Sequence, residues 1–249
     1  MKRKWTILAT AAMVCAALLP GCRSVSREPA DTVLDVTGQV RVLDVTVGAA
    51  DLRIEESDSF RVETDNPYIQ ISQRNDTLII REEPHIADLE SSSVTIHYPA
   101  DTMFAVVELE MGAGRMDVFS LSCEKLDLEL GAGNVEIQEL NVTRDAEISG
   151  GGGDIYIYSG LIRNLDLEHG VGACAIRGTI TGNSDIEAGM GQLKVYIVGD
   201  MADYTIRATT GIGEILVNGT EIPAATFGTG ENRIEISGGI GIVELVFEP

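Results

Sequence analysis

The sequence predicts an all-β fold: a single-domain parallel β-solenoid with Gly-x-Gly coils of 19–20 residues and an irregular N-terminal cap. Three observations predict it. First, Gly-x-Gly begins at Gly112, Gly131, Gly151, Gly170, Gly189, Gly211 and Gly239, at intervals of 19, 20, 19, 19, 22 and 28 residues, and such self-similarity marks a repeat architecture. Second, the flanking residues fall into apolar columns. Three before the first Gly stand Leu109, Leu128, Ile148, Leu167, Ile186, Ala208 and Ile236; four after it stand Met116, Val135, Ile155, Cys174, Leu193, Ile215 and Val243; six after it stand Val118, Ile137, Ile157, Ile176, Val195, Val217 and Leu245. Third, the residues between the columns are mostly polar. Each unit therefore reads as two short runs of period 2, one on either side of a glycine turn, whereas a helix would need apolar spacings of three and four. Equivalent strands of successive coils are expected to pair at about 4.8 Å, giving a rod of roughly 35 Å for seven coils.

The chain begins with a leader. Lys2, Arg3 and Lys4 precede an apolar stretch from Trp5 to Leu19, which as a helix would rise only about 22 Å and so fall short of a bilayer core. This is the pattern of a secretory signal. Its end, Leu19-Pro20-Gly21-Cys22, resembles the bacterial lipobox, with Pro20 departing from the usual small or β-branched residue. The resemblance implies a signal peptide at residues 1–21 and Cys22 as the lipidated first residue of the mature protein. Several acyl chains on one Cys anchor far more firmly than a single chain. Residues 22–32 read as a tether, and residues 33–249 as the folded domain.

Residues 31–100 continue the alternation with weaker glycine marking. Val45 to Ile54 reads as a degenerate first coil, with Ala50 where the second Gly would stand. Phe60–Glu63, Ile69–Ser72, Leu78–Ile80 and Val94–Tyr98 read as strands, Asn75-Asp76-Thr77 as a hairpin turn, and Pro84 to Ser93 as a loop. An irregular end is expected where a solenoid must cover its last unpaired edge.

This order, a glycine-marked coil, then Asn75-Asp76-Thr77-Leu78-Ile79-Ile80, then Val94-Thr95-Ile96-His97-Tyr98-Pro99, then a ladder of Gly-Ala-Gly coils, resembles the "putative-adhesin" β-solenoid domain family of bacterial surface and envelope proteins. The resemblance covers residues 33 to 248. It implies a β-helix-like fold and an extracytoplasmic setting, and it transfers no catalytic residue. The wide interval from Gly211 to Gly239 departs from the family's even ladder.

Charge narrows the function. Without the leader the chain carries 15 basic residues against 39 acidic ones, a net −24. Such a surface repels phosphate backbones and attracts divalent cations and basic partners, so no nucleic-acid partner is expected.

Local chemistry is sparse. Cys123 and Cys174 fall at apolar positions of separate coils and read as buried, unbridged thiols. His169 precedes a Gly-x-Gly where other coils carry Met111, Leu130 and Ala188, and reads as a structural side chain at the turn edge; His85 and His97 complete the histidines. No Ser, His and acid form a recognisable local signature, and the Gly150–Asp154 run occurs once, whereas calcium-binding nonapeptides recur.

One pattern does recur. Four residues before each first Gly stand Glu108, Asp127, Glu147, Asp166, Asp185, Arg207 and Glu235, and two before stand Glu110, Glu129, Ser149, Glu168, Glu187, Thr209 and Ser237. Stacking would align them as an acidic stripe with like charges about 5 Å apart. Such a stripe serves either as a solvated face or as a surface that gathers Ca²⁺ or Mg²⁺ or docks a cationic partner, with no other cofactor indicated. The leading expectation is a non-enzymatic, membrane-anchored cell-surface lipoprotein for adhesion or envelope scaffolding, meeting a protein or a surface polymer. The alternative is an envelope sensing module that binds a membrane protein. A polysaccharide-active β-helix enzyme is the weakest reading, because aromatics make up only 5% of the chain and no unique acid/base pair stands out.

Overall fold

The computed structural model describes residues 32–36, 38–84 and 92–249. The leader, Cys22, the tether up to residue 31, His85 and most of the expected loop lie outside these residues. All strands among the described residues join one 16-stranded sheet, wound into a stack of coils around a single hydrophobic core that runs from Val40 to Phe247.

The expected inward columns are buried. In one coil the buried residues are Leu126, Leu128 and Leu130, then Val135 and Ile137, then Leu140 and Val142. The last pair belongs to a third run that the two-run reading did not contain. It becomes a separate strand in the next coil, β8 (Gly160–Arg163), which pairs in parallel with Leu140–Val142 below and Thr179–Thr181 above. It offers at most two apolar inward residues per coil and carries glycine only at Gly160 and Gly178, outside the Gly-x-Gly spacing, so period 2 alone did not set it apart.

The middle of the stack follows chain order. The long strand β7 (Phe104–Ile157) is followed by β9 (Leu165–Thr181) and β10 (Asn183–Val198), paired in parallel with every column in register. Glycine is required where successive corners touch. Gly153 has φ +120°, and a Cβ there would overlap the Gly133 carbonyl oxygen. An L side chain is strained in that backbone region and has no room in this corner.

Both ends depart from chain order. After β10 the chain forms β11 (Tyr204–Thr209) and β12 (Glu214–Val217) one level further out, and the last strands, β15 (Asn232–Ser237) and β16 (Ile240–Glu248), return to fill the gap. β15 pairs in parallel with both β10 and β11, and β16 with both β10 and β12. The expected stacking of each coil on its sequence successor is therefore corrected here. The long Gly211–Gly239 interval holds two short return strands, β13 (Thr220–Glu221) and β14 (Ala225–Gly228), which pair antiparallel with β12 and β11 and cover the outer edge.

The N-terminal end mirrors this. The first coil, β2 (Val42–Ser57), lies between β7 and an outer level made by β5 (Thr77–Glu82) and β6 (Ser93–Pro99). β4 (Ile69–Arg74) and β3 (Arg61–Thr64) cover that level antiparallel, and β1 (Thr32–Asp35) pairs with β3. The expected hairpin turn is present, with Asn75 at φ 56°. Nine levels at the usual strand spacing make a rod of about 40 Å. Antiparallel strands at each end hide the parallel edges that would otherwise template aggregation.

Candidate functional site: an acidic ladder closed by arginines

The feature that recurs through the stack is the stripe of carboxylates. Alternation turns the residues five and three before each first Gly inward, and those four and two before it outward. Register then sets the outward acids above one another. Asp44 pairs with Glu108, Glu147 with Asp166, Asp166 with Asp185 and Asp185 with Glu235. Asp127 joins Glu108 to Glu147 within β7. The second row includes Glu110, Glu129, Glu168 and Glu187, the last two directly paired.

Asn164 helps to aim the row. It stands at φ 49° two residues before Asp166, its amide donates to the Arg144 carbonyl at 2.8 Å, and its side-chain oxygen accepts from the Asn183 backbone N–H at 3.0 Å. One side chain thereby fixes three levels at the point where each acidic strand begins.

Cations stand at the two ends. Arg81 Nη2 lies 2.6 Å from Asp44 Oδ2, and the same guanidinium donates to Thr46 Oγ1. At the far end Arg207 pairs with Glu235. The transposed coils put Arg207 outside Glu235, so the ladder is not interrupted between Asp185 and Glu235 as chain order implied. Between the ends, Asp127, Glu147, Asp166 and Asp185 have no ion-pair partner among the described residues. The neighbouring Lys125 is 3.8 Å from Asp145 instead. A groove of about 420 Å³ runs along this stretch, bordered by Asp127, Glu147, Asp166, Asp185, Lys125 and Asn183.

The acids feel one another. Partial burial is the largest cause raising the pKa of Asp127, Glu147, Asp166 and Asp185, and neighbouring charges add to it: Glu110 for Asp127, Asp127 and Asp166 for Glu147, Glu168 for Asp166, and Asp166 with Glu235 for Asp185. Glu129 and Glu187 are raised for the same two reasons. Among the described residues no three His, Cys, Asp or Glu side chains converge closely enough to hold a metal ion. The ladder is thus an extended field of one sign, suited to a linear or multivalent cation.

Cys123 and Cys174 are free and buried, and burial pushes both thiols up to about 12, far from the reactive range. His97 Nδ1 lies 3.1 Å from Glu55 Oε1. His169, at the turn edge directly before Gly170, is buried there at 4% exposure. The absence of a side chain at Gly150 leaves room for its ring: a Cβ there would lie 3.1 Å from His169 Nδ1. Neither ring nitrogen has a hydrogen-bond partner.

Sequence reasoning missed one surface feature, the middle residue of Gly-x-Gly. It is small in the early coils and becomes Val171, Met190, Ile212 and Ile240 in the late ones, all exposed. The switch from Ala to large apolar residues was the available signal.

The family model described as Toastrack DUF4097 matches residues 39–222. No curated protein sequence matches the chain. Among solved structures, a "putative cell adhesion protein" from Clostridium sporogenes is 16% identical, with 88% of this chain and 100% of that one covered and a TM-score of 0.41. A "putative adhesin" from Bacteroides fragilis is 13% identical over 88% and 100% of the two chains, TM-score 0.38. A "putative lipid binding protein" from Parabacteroides distasonis is 14% identical over 86% and 96%, TM-score 0.39. At such values the fold assignment rests on the family match and on the strand pairing itself.

Proposed function

The chain belongs to the Toastrack family, and from that premise we propose that it is a non-enzymatic, lipid-anchored binding rod of the bacterial cell envelope that docks cationic partners on its acidic ladder. The single observation that carries this reading is the in-register column Asp127, Glu147, Asp166 and Asp185, which lacks compensating cations although arginines close both ends. Solubility needs net charge but does not need like charges aligned, and like charges directly opposite are destabilising. A cationic partner relieves that repulsion and is rewarded at every level. Repetition of the same carboxylate from coil to coil supports binding over catalysis, which would call for one distinct acid/base pair. The leader and Cys22 support an extracytoplasmic anchor.

The test is recovery of partners from intact cells by the purified protein and by a variant carrying Asp127→Asn, Glu147→Gln, Asp166→Asn and Asp185→Asn. Partners captured by the native protein and lost from the variant are expected. Surface polymer or matrix among them would favour adhesion or scaffolding, and one membrane protein would favour envelope sensing. Equal recovery by both forms would overturn the ladder as the binding face. For the anchor, fatty-acid labelling of the native chain and none of Cys22→Ser is expected.

A further inference from the structure

The exposed middle residues of the late Gly-x-Gly corners form one ridge. Val171 pairs with Met190 and Met190 with Ile240, while the Ile212 N–H donates to the Gly239 carbonyl at 2.9 Å. Stack order is therefore Val171, Met190, Ile240, Ile212, exposed by 54%, 51%, 50% and 83%. Below Val171 the column shrinks to Gly152, so the ridge is confined to the C-terminal half of the rod. Because β16 inserts between β10 and β12, Ile240 rather than Ile212 sits against Met190.

The two flanks differ in charge. On one side lie Glu168 and Glu187, with Asp166, Asp185 and Glu235 behind them; on the other lie Ala173, Gln192 and Ile242, three residues after the first Gly of their coils, with an acid, Glu214, only at the outermost level beside Ile212. An apolar strip with acid along one side complements an apolar strip with base along one side. An α-helix offers one residue per turn to a straight ridge every 5.4 Å or so, close to the roughly 4.8 Å between coils, so about three turns can follow the four ridge residues. A membrane carrying anionic lipid would be repelled by the flank. A second copy packed ridge to ridge would bring a second set of these carboxylates close to the first.

We propose that this ridge seats an amphipathic helix of a partner protein, its apolar stripe on Val171, Met190, Ile240 and Ile212 and its Lys/Arg side along Asp166, Glu168, Asp185 and Glu187. The proposal rests on the cation-docking reading of the ladder and adds the apolar half of the partner.

The probe is a labelled helix-forming peptide of Leu and Lys with its leucines on one face, compared with a scrambled peptide of the same composition. Binding is measured to the native protein, to a ridge variant (Val171→Thr, Met190→Thr, Ile212→Thr, Ile240→Thr) and to a ladder variant (Asp166→Asn, Glu168→Gln, Asp185→Asn, Glu187→Gln). All eight positions are solvent-exposed, and thermal melting verifies that each variant folds. The native protein is expected to prefer the amphipathic peptide by roughly tenfold, the ridge variant to lose that preference while still binding the scrambled one, and the ladder variant to weaken on both. An unaltered preference in the ridge variant overturns the ridge and leaves ladder docking standing. Undiminished binding by the ladder variant overturns the reading beneath it and the basic flank with it. Ridge-dependent sedimentation with phosphatidylglycerol vesicles, or ridge-dependent dimerisation, would overturn it in favour of a membrane or a second copy.

Discussion

Arg207 Nη1 lies 3.6 Å from Glu235 Oε1, across the last two levels of the stack. Because the final coil is threaded inside the one before it, this contact ends a column of like charges on a cation instead of interrupting it between Asp185 and Glu235. Both side chains are well exposed, so the pair itself contributes little, under about 1 kcal/mol. Arg207→Glu turns it into a seventh step of repulsion. Thermal unfolding is expected to shift down at low salt, by an amount equivalent to roughly 0.2–1 kcal/mol, and the deficit to vanish at high NaCl. A deficit unchanged by salt would mean that Arg207 acts through packing.

The ladder also fixes the sign of the pH response. Asp127, Glu147, Asp166 and Asp185 are raised above the ordinary values of 3.8 for Asp and 4.5 for Glu. Between those values and the higher folded ones, the folded chain binds more protons than the unfolded chain, so stability falls as pH rises through this window. Acidifying from neutral pH toward the ordinary carboxylate range is therefore expected to raise the melting temperature. A steady fall over that range would show that other groups dominate.

Adjacent glycines separate conformation from composition. Gly152 has open space where a Cβ would stand, whereas Gly153 has φ +120° and a carbonyl in the way. Gly152→Ala is expected to change stability by no more than about 0.5 kcal/mol. Gly153→Ala is expected to cost well over 1 kcal/mol, from strain and overlap together. Denaturant titration of the two variants makes the comparison; equal effects would contradict the corner geometry.

His169 occupies an apolar column at the cost of two unpaired ring nitrogens. Leu130 fills the same column in an earlier coil, so His169→Leu is expected to stabilise the fold by on the order of 1 kcal/mol. Destabilisation in denaturant would show that the imidazole holds a role that packing does not reveal.

Much of this was legible in the sequence because the repeat states it many times over. The columns through Leu128, Val135 and Ile137 identified the core, and Glu147, Asp166 and Asp185 stand in the row that spacing implied. What escaped was what alternation does not encode. The threading of β16 beside β10 depends on which edge a returning strand meets, and local alternation is identical in either order. Arg207 was consequently misplaced within the ladder, and the run through Leu140 and Val142 was too short for periodicity to isolate. The order of Ile240 and Ile212 in the ridge follows from that same threading of β16.

The most direct measurement is the affinity of the protein for an oligolysine peptide, taken across NaCl concentrations for two variants of equal net charge. One neutralises Asp127, Glu147, Asp166 and Asp185; the other neutralises Asp58, Asp101, Glu139 and Glu231, which are exposed and outside the ladder. The first is expected to lose binding and its salt dependence while the second keeps both. Equal loss in the two would mean that net charge alone attracts the peptide and that the ladder is only a solvated face.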